Sequence, residues 1–149
     1  MLPVIPVLEI YKDKVLIYST TLLYSNVKVR YSFIHSSELT PWTEIWLINS
    51  SGIYVTGMYW RGLGAGHPSS PFDLDSRIIL LNDSIGAFDI QRYLGKTVVI
   101  DLAYTINSSI NVNGKPLPTE GSKVVFKVTH LSLLKIFINV LYHLICKQP

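Results

Sequence analysis

Residues 31–68, YSFIHSSELTPWTEIWLINSSGIYVTGMYWRGLGAGHP, decide the fold. Just ahead of them and into them, Val27, Val29, Tyr31 and Phe33 alternate with Lys28, Arg30 and Ser32, the period-two pattern of a strand with one buried face. The alternation stops at His35. From His35 to Pro41 the chain is too polar for a core strand and too short for a helix, and Pro41 holds Thr40 extended, so a corner is predicted there. Thr43 to Ile48 resumes a strand, Asn49-Ser50-Ser51-Gly52 turns, and Ile53 to Trp60 returns as the second arm of a hairpin. The stretch closes on Gly62, Gly64 and Gly66, where backbone angles closed to other residues become available.

Outward from this centre the same grammar repeats. Val7–Tyr11 and Val15–Ser19 flank the charged turn Lys12-Asp13-Lys14 as an opening hairpin. Beyond the connector Pro68-Ser69-Ser70-Pro71, Arg77–Leu81 is a short apolar strand. The segment Ile85–Tyr93 fits a strand or a helical turn equally well. Thr97–Ile106 reads as one continuous β run, followed by Ser109–Val112, the Asn113-Gly114 turn and Lys123–Val128. Eight to ten short strands with frequent turns predict a single all-β domain over residues 1–128, an antiparallel β-sandwich or small barrel.

From Thr129 the pattern changes. Ser132, Lys135, Asn139, Tyr142, His143 and Cys146 recur at helical spacing among Leu, Ile, Val and Phe, so residues 129–149 are predicted to form an amphipathic C-terminal α-helix with a narrow polar stripe. Its apolar length falls short of the ~20 residues of a membrane span, and Lys135 interrupts it. Three placements suit such a helix: capping the β core, docking on a partner, or lying in a membrane interface.

Composition narrows the function classes. The 149 residues carry 13 Lys plus Arg against 10 Asp plus Glu, a scattered excess of +3 that does not make a nucleic-acid-binding surface. Charged residues are only 15% and apolar ones 48%, so uncharged surface is available for an interaction face. Cys146 is the single cysteine, which excludes an internal disulfide and a cysteine-based zinc cluster. The opening Met1–Leu8 has no basic residue and two prolines, and does not read as a secretory leader. Three N-x-S/T triplets begin at Asn49, Asn82 and Asn107 and are read as turn formers rather than glycan acceptors.

The residues with chemistry to offer collect in the central stretch. His35, Glu38 and Glu44 are the types that ligate zinc, manganese or iron, and they form a polar candidate site together with Ser36, Gly64, Gly66 and His67. A structural polar network is the simpler reading, since corner side chains commonly bond backbone groups. A hydrolase built on Ser36 or Ser37 with His35 and Glu38 is the weakest reading, because neighbouring side chains on an extended chain project apart. Gly62–Gly66 lacks the GK[ST] ending of a phosphate-binding loop. No cofactor is expected.

The string Tyr31, His35-Ser36, Glu38, Pro41, Glu44, followed by Gly64-Ala65-Gly66 and Pro68, resembles the signature of the bacterial and archaeal family known as domain of unknown function 1850. Gly95, Asn113-Gly114, Leu117-Pro118 and Gly121 extend the resemblance, which spans roughly Val7 to Val128. It implies a small protein associated with the membrane subunit of a TRAP transporter of the TAXI type, in a membrane-associated or extracytoplasmic setting, although a cytoplasmic one stays open. It implies no activity. The expected function is therefore that of a non-enzymatic accessory protein; a small-ligand or metal-binding β domain using His35, Glu38 and Glu44 is the alternative.

Overall fold

The computed structural model describes residues 4–35, 39–61, 77–81, 84–102, 105–121 and 123–133, with the side chains of His35, Ile78, Leu81 and Ile106 excepted. In chain order the strands are β1 (Val4–Lys12), β2 (Val15–Thr21), β3 (Val27–His35), β4 (Thr40–Asn49), β5 (Gly52–Trp60), β6 (Arg77–Leu81), β7 (Ser84–Gly95), β8 (Thr97–Asp101), β9 (Ile106–Val112), β10 (Lys115–Leu117) and β11 (Lys123–Ser132). They form two antiparallel sheets, one of four strands in the order β2-β1-β11-β8 and one of seven in the order β10-β9-β3-β4-β5-β7-β6. Each sheet ends in edge strands, so the architecture is an open sandwich and the barrel alternative does not form. At one edge, β10 is three residues long and carries Pro116, which offers no backbone donor to a further strand.

The alternation seen in the sequence becomes the core. Val27, Val29 and Tyr31 of β3, Trp46 and Ile48 of β4, and Ile110 and Val112 of β9 are buried in one cluster with Leu8 and Ile10 of β1 and Val124, Phe126 and Val128 of β11. Across the interface the rings of Trp46 and Phe126 meet edge to face at 5.4 Å between centroids. On β5 the inward positions change parity: Ile53 and Val55 are buried, then Met58 and Trp60. A bulge between the Ile45–Gly57 and Trp46–Val55 pairs inserts Thr56 and shifts the register by one. Thr56 Oγ1 donates to the Ile45 carbonyl at 3.3 Å, which ties the bulge to its neighbour.

Three sequence expectations are corrected here, and one left open is decided. The corner predicted over His35–Pro41 is overturned at both ends, because β3 and β4 pair from Val27–Ile48 up to His35–Thr40, which brings His35, Thr40 and Pro41 into strands; Ser36, Ser37 and Glu38 lie outside the described residues. The ambiguous segment Ile85–Tyr93 lies wholly within a strand, β7, which pairs with β5 and β6. The single run Thr97–Ile106 is broken: the Leu102 carbonyl accepts both the Thr105 N–H and its hydroxyl at 3.3 Å, closing a turn that sends β8 to the small sheet and β9 to the large one. Strand β11 continues past Val128 through Thr129 to Ser132, because β1 offers partners as far as Val4. The C-terminal helix predicted over residues 129–149 is thus overturned at its start, where residues 129–132 are strand, and its remainder, residues 134–149, lies outside the described ones. No helix among the described residues is long and apolar enough to cross a membrane.

The turn at 49–52 is as predicted, and its chemistry is visible. Asn49 Oδ1 accepts the backbone N–H groups of Ser51 and Gly52 at 2.8 and 3.2 Å, the turn-forming role read for that triplet. Gly52 has φ +149°, and a Cβ there would lie 2.5 Å from the Tyr93 ring, so glycine is required on both counts.

Candidate functional site

Of the candidate residues, Glu44 is the one whose side chain the structure describes. His35 is placed by its backbone, opposite Thr40 at the β3–β4 tip. Ser36, Glu38, Gly64, Gly66 and His67 lie outside the described residues. Among the described residues no group of three or more His, Cys, Asp and Glu side chains could hold a metal ion.

Period-two geometry puts Glu44 on the same face of β4 as Trp42, Trp46 and Ile48, all three buried. The carboxylate therefore sits on the inner face of the large sheet. In register it stands between Tyr31 on β3 and Met58 on β5, and Tyr31 in turn stands opposite Ile110 on β9. An inward carboxylate must find donors or water, since an uncompensated buried charge is costly. Here Trp46 Nε1 donates to Glu44 Oε2 at 2.7 Å, a charge-assisted bond that also holds the indole against Phe126.

Aromatic rings surround this bond. Tyr31 stacks on Phe33 at 4.7 Å and meets Trp46 at 5.8 Å; beyond them Phe33 tilts against Trp42 at 6.4 Å, and Trp42 stacks on Trp60 at 5.6 Å. Trp42, Trp46 and Trp60 are interior, because all three indoles lie on the buried side. Tyr59, on the opposite side of β5, packs edge to face on Phe88.

The remaining members come from a segment without a sequence signal. Thr105 and Ser108, hydrogen-bonded to each other through their hydroxyls, also bond the Tyr31 phenol. Burial raises the Tyr31 pKa above the ordinary value of about 10; the bonds from Thr105 and Ser108 pull it down, and the nearby Glu44 charge pushes it up. Since the folded value is the higher one, the stabilisation is fully present below about pH 10 and is lost as pH rises through the folded pKa. The expected outcome is that Tyr31→Phe flattens the alkaline fall in unfolding free energy measured from pH 9 upward; an unchanged slope would place Tyr31 in water.

The assembly presents one carboxylate and one phenol in aromatic surroundings, held by an indole and two hydroxyls. It positions polar atoms on an inner sheet face without a nucleophile paired to a base.

The profile of a family described as a domain of unknown function (DUF1850) matches residues 29–118. That range is narrower than the resemblance read from the sequence, and it takes in Tyr31, Glu44, Trp46, Thr105 and Ser108 together. No curated protein and no solved structure matches the chain. With more than half of its length within the matched profile, and the polar cluster inside the matched range, this chain belongs to the DUF1850 family.

Proposed function

We propose that the protein acts by binding rather than by catalysis, as an accessory partner of a membrane transporter subunit of the TRAP (TAXI) type. The observation that carries the binding reading is on the outer face of the four-stranded sheet. Leu16, Tyr11, Val125 and Val99 stand side by side in register across β2, β1, β11 and β8. Leu16 is 46% and Val99 56% exposed, an uncommon display of branched aliphatics on the outside of a sandwich. Around Tyr11, Val125 and Val99 lies a groove of about 670 Å³ that also includes Lys14, Lys123 and Lys127. An apolar centre with a charged rim is the anatomy of a protein–protein contact. The transporter as the partner follows from what the family resemblance implies.

The test is crosslinking in native membranes after gentle detergent extraction, comparing the whole chain with Leu16→Glu/Val99→Glu. Both positions are exposed, so the double variant should keep its stability to within about 0.5 kcal/mol. The crosslink to a large membrane subunit is expected to fall at least about tenfold, since charges in the centre of an apolar contact are left unpaired. A native chain that captures no membrane subunit, or a variant that captures it at the native yield, sinks the reading.

A further inference from the structure

The other outer face of the sandwich has the opposite character. On β3 the outward positions are Lys28, Arg30 and Ser32, and next to them on β9 stand Ser109 and Asn111, paired in register with Ser32 and Arg30. Asn113, at φ +49° in the following turn, donates its N–H to the Lys28 carbonyl at 2.8 Å and accepts the Lys28 N–H on Oδ1 at 2.9 Å, which fixes the end of the row. With Ile45 of β4 and Gly114 these residues line a groove of about 860 Å³. Among the described residues that line it, none is acidic.

Two cations elsewhere on the described surface are ion-paired. Arg77 is within 3.4 Å of Asp89, and Lys123 within 3.7 Å of Asp101. Among the described residues Lys28 and Arg30 have no such partner; their cross-strand neighbours are Leu47, Ile45 and Asn111. Two cations two residues apart on one face of a strand are separated by about 7 Å at their Cα atoms, near enough for both side chains to converge on one group. A guanidinium offers a fork for two oxygens of an oxyanion and an ammonium offers a point charge beside it. Ser109 and Asn111 add a hydroxyl and an amide at the same level, able to donate to or accept from hydroxyls attached to that anion.

We propose that this groove binds a phosphoryl group carried on a small polyol, held by Arg30 and Lys28 at the phosphate and by Ser109 and Asn111 at the hydroxyls. The site is separate from the apolar row, which lies on the outer face of the other sheet. Such a ligand has two sources, a free phosphorylated polyol and the glycerophosphate headgroup of an anionic lipid.

The experiment uses the full chain. Glycerol 3-phosphate and inorganic phosphate are titrated while backbone amide shifts are followed, and retention on phosphatidylglycerol vesicles is compared with that on phosphatidylcholine vesicles. Saturable shifts confined to residues 28–32 and 109–113, stronger for glycerol 3-phosphate than for phosphate, are expected for a free ligand. Retention on phosphatidylglycerol vesicles alone identifies the headgroup as the source. In either case Lys28→Glu/Arg30→Glu should weaken binding at least about tenfold, the loss of one or two charge-assisted hydrogen bonds. Lys96→Glu, a single charge reversal at an exposed position between β7 and β8, should leave binding unchanged. The proposal is overturned if neither phosphate compound moves those amides and neither vesicle retains the chain. It is equally overturned if Lys28→Glu/Arg30→Glu binds like the native protein, or if Lys96→Glu loses as much.

Discussion

Trp46→Ala is expected to lower the unfolding free energy by about 3–5 kcal/mol, as the removal of a large buried aromatic does. Three contacts go at once. The ring leaves Phe126 on the opposite sheet and Tyr31 on its own, and Glu44 on the inner face loses its indole donor. Trp46→Phe narrows these effects, because it retains a ring between the sheets while removing the Nε1–H and the outer part of the indole. It should cost about 1.5–3 kcal/mol, the range for a hydrogen bond to a charged group. In a Glu44→Gln background the same change should cost less, since a neutral amide oxygen is the weaker acceptor. Urea midpoints at constant slope measure all three. Equal losses in Trp46→Ala and Trp46→Phe would show that the indole matters through its hydrogen bond alone and that the inter-sheet ring contact contributes nothing.

How much of this was legible in the chain depends on whether the information was local. The alternation Val27, Val29, Tyr31, Phe33 and the turn Asn49–Gly52 are local, and both stand where they were read. The burial of Trp46 follows from the same period. Which of Tyr59 and Trp60 turns inward is a different matter, because the Thr56 bulge inverts parity midway along β5 and nothing at Thr56 announces it. The run Thr97–Ile106 misleads for a related reason. Its β propensity is continuous, whereas the break at Leu102–Thr105 is imposed by two halves that have partners in different sheets, β11 for one and β3 for the other. Glu44 was recognised as a functional candidate, but among metal ligands at a corner; its inward face was already implied by Trp42 and Trp46 two positions to either side. Thr105 and Ser108 reach Tyr31 only through the β3–β9 pairing, across more than seventy residues, and no spacing rule connects them.

A fragment comprising residues 27–118 is expected not to fold at all, although it contains the whole of the seven-stranded sheet and the whole of the family match. It lacks β1, β2 and β11, and β8 pairs with β11 alone, so the fragment would retain one unpaired strand of the small sheet and nothing to cover the large one. Leu8, Ile10, Val124, Phe126 and Val128 would be gone from the core. Each such side chain contributes about 1.5–3 kcal/mol when buried, and together they match the about 5–15 kcal/mol that holds a whole domain. The exposed inner face, with Val29, Trp46, Ile48, Ile53 and Val55, would then drive aggregation. Calorimetry of the fragment should show no cooperative transition where the full chain shows one, and a hydrophobic dye should bind the fragment strongly. A sharp transition in the fragment would mean that the large sheet covers itself. Without it, the folding unit is larger than the family match: Tyr31, Glu44 and Trp46 are carried by the matched segment, and the Phe126 ring that packs on Trp46 is supplied from outside it.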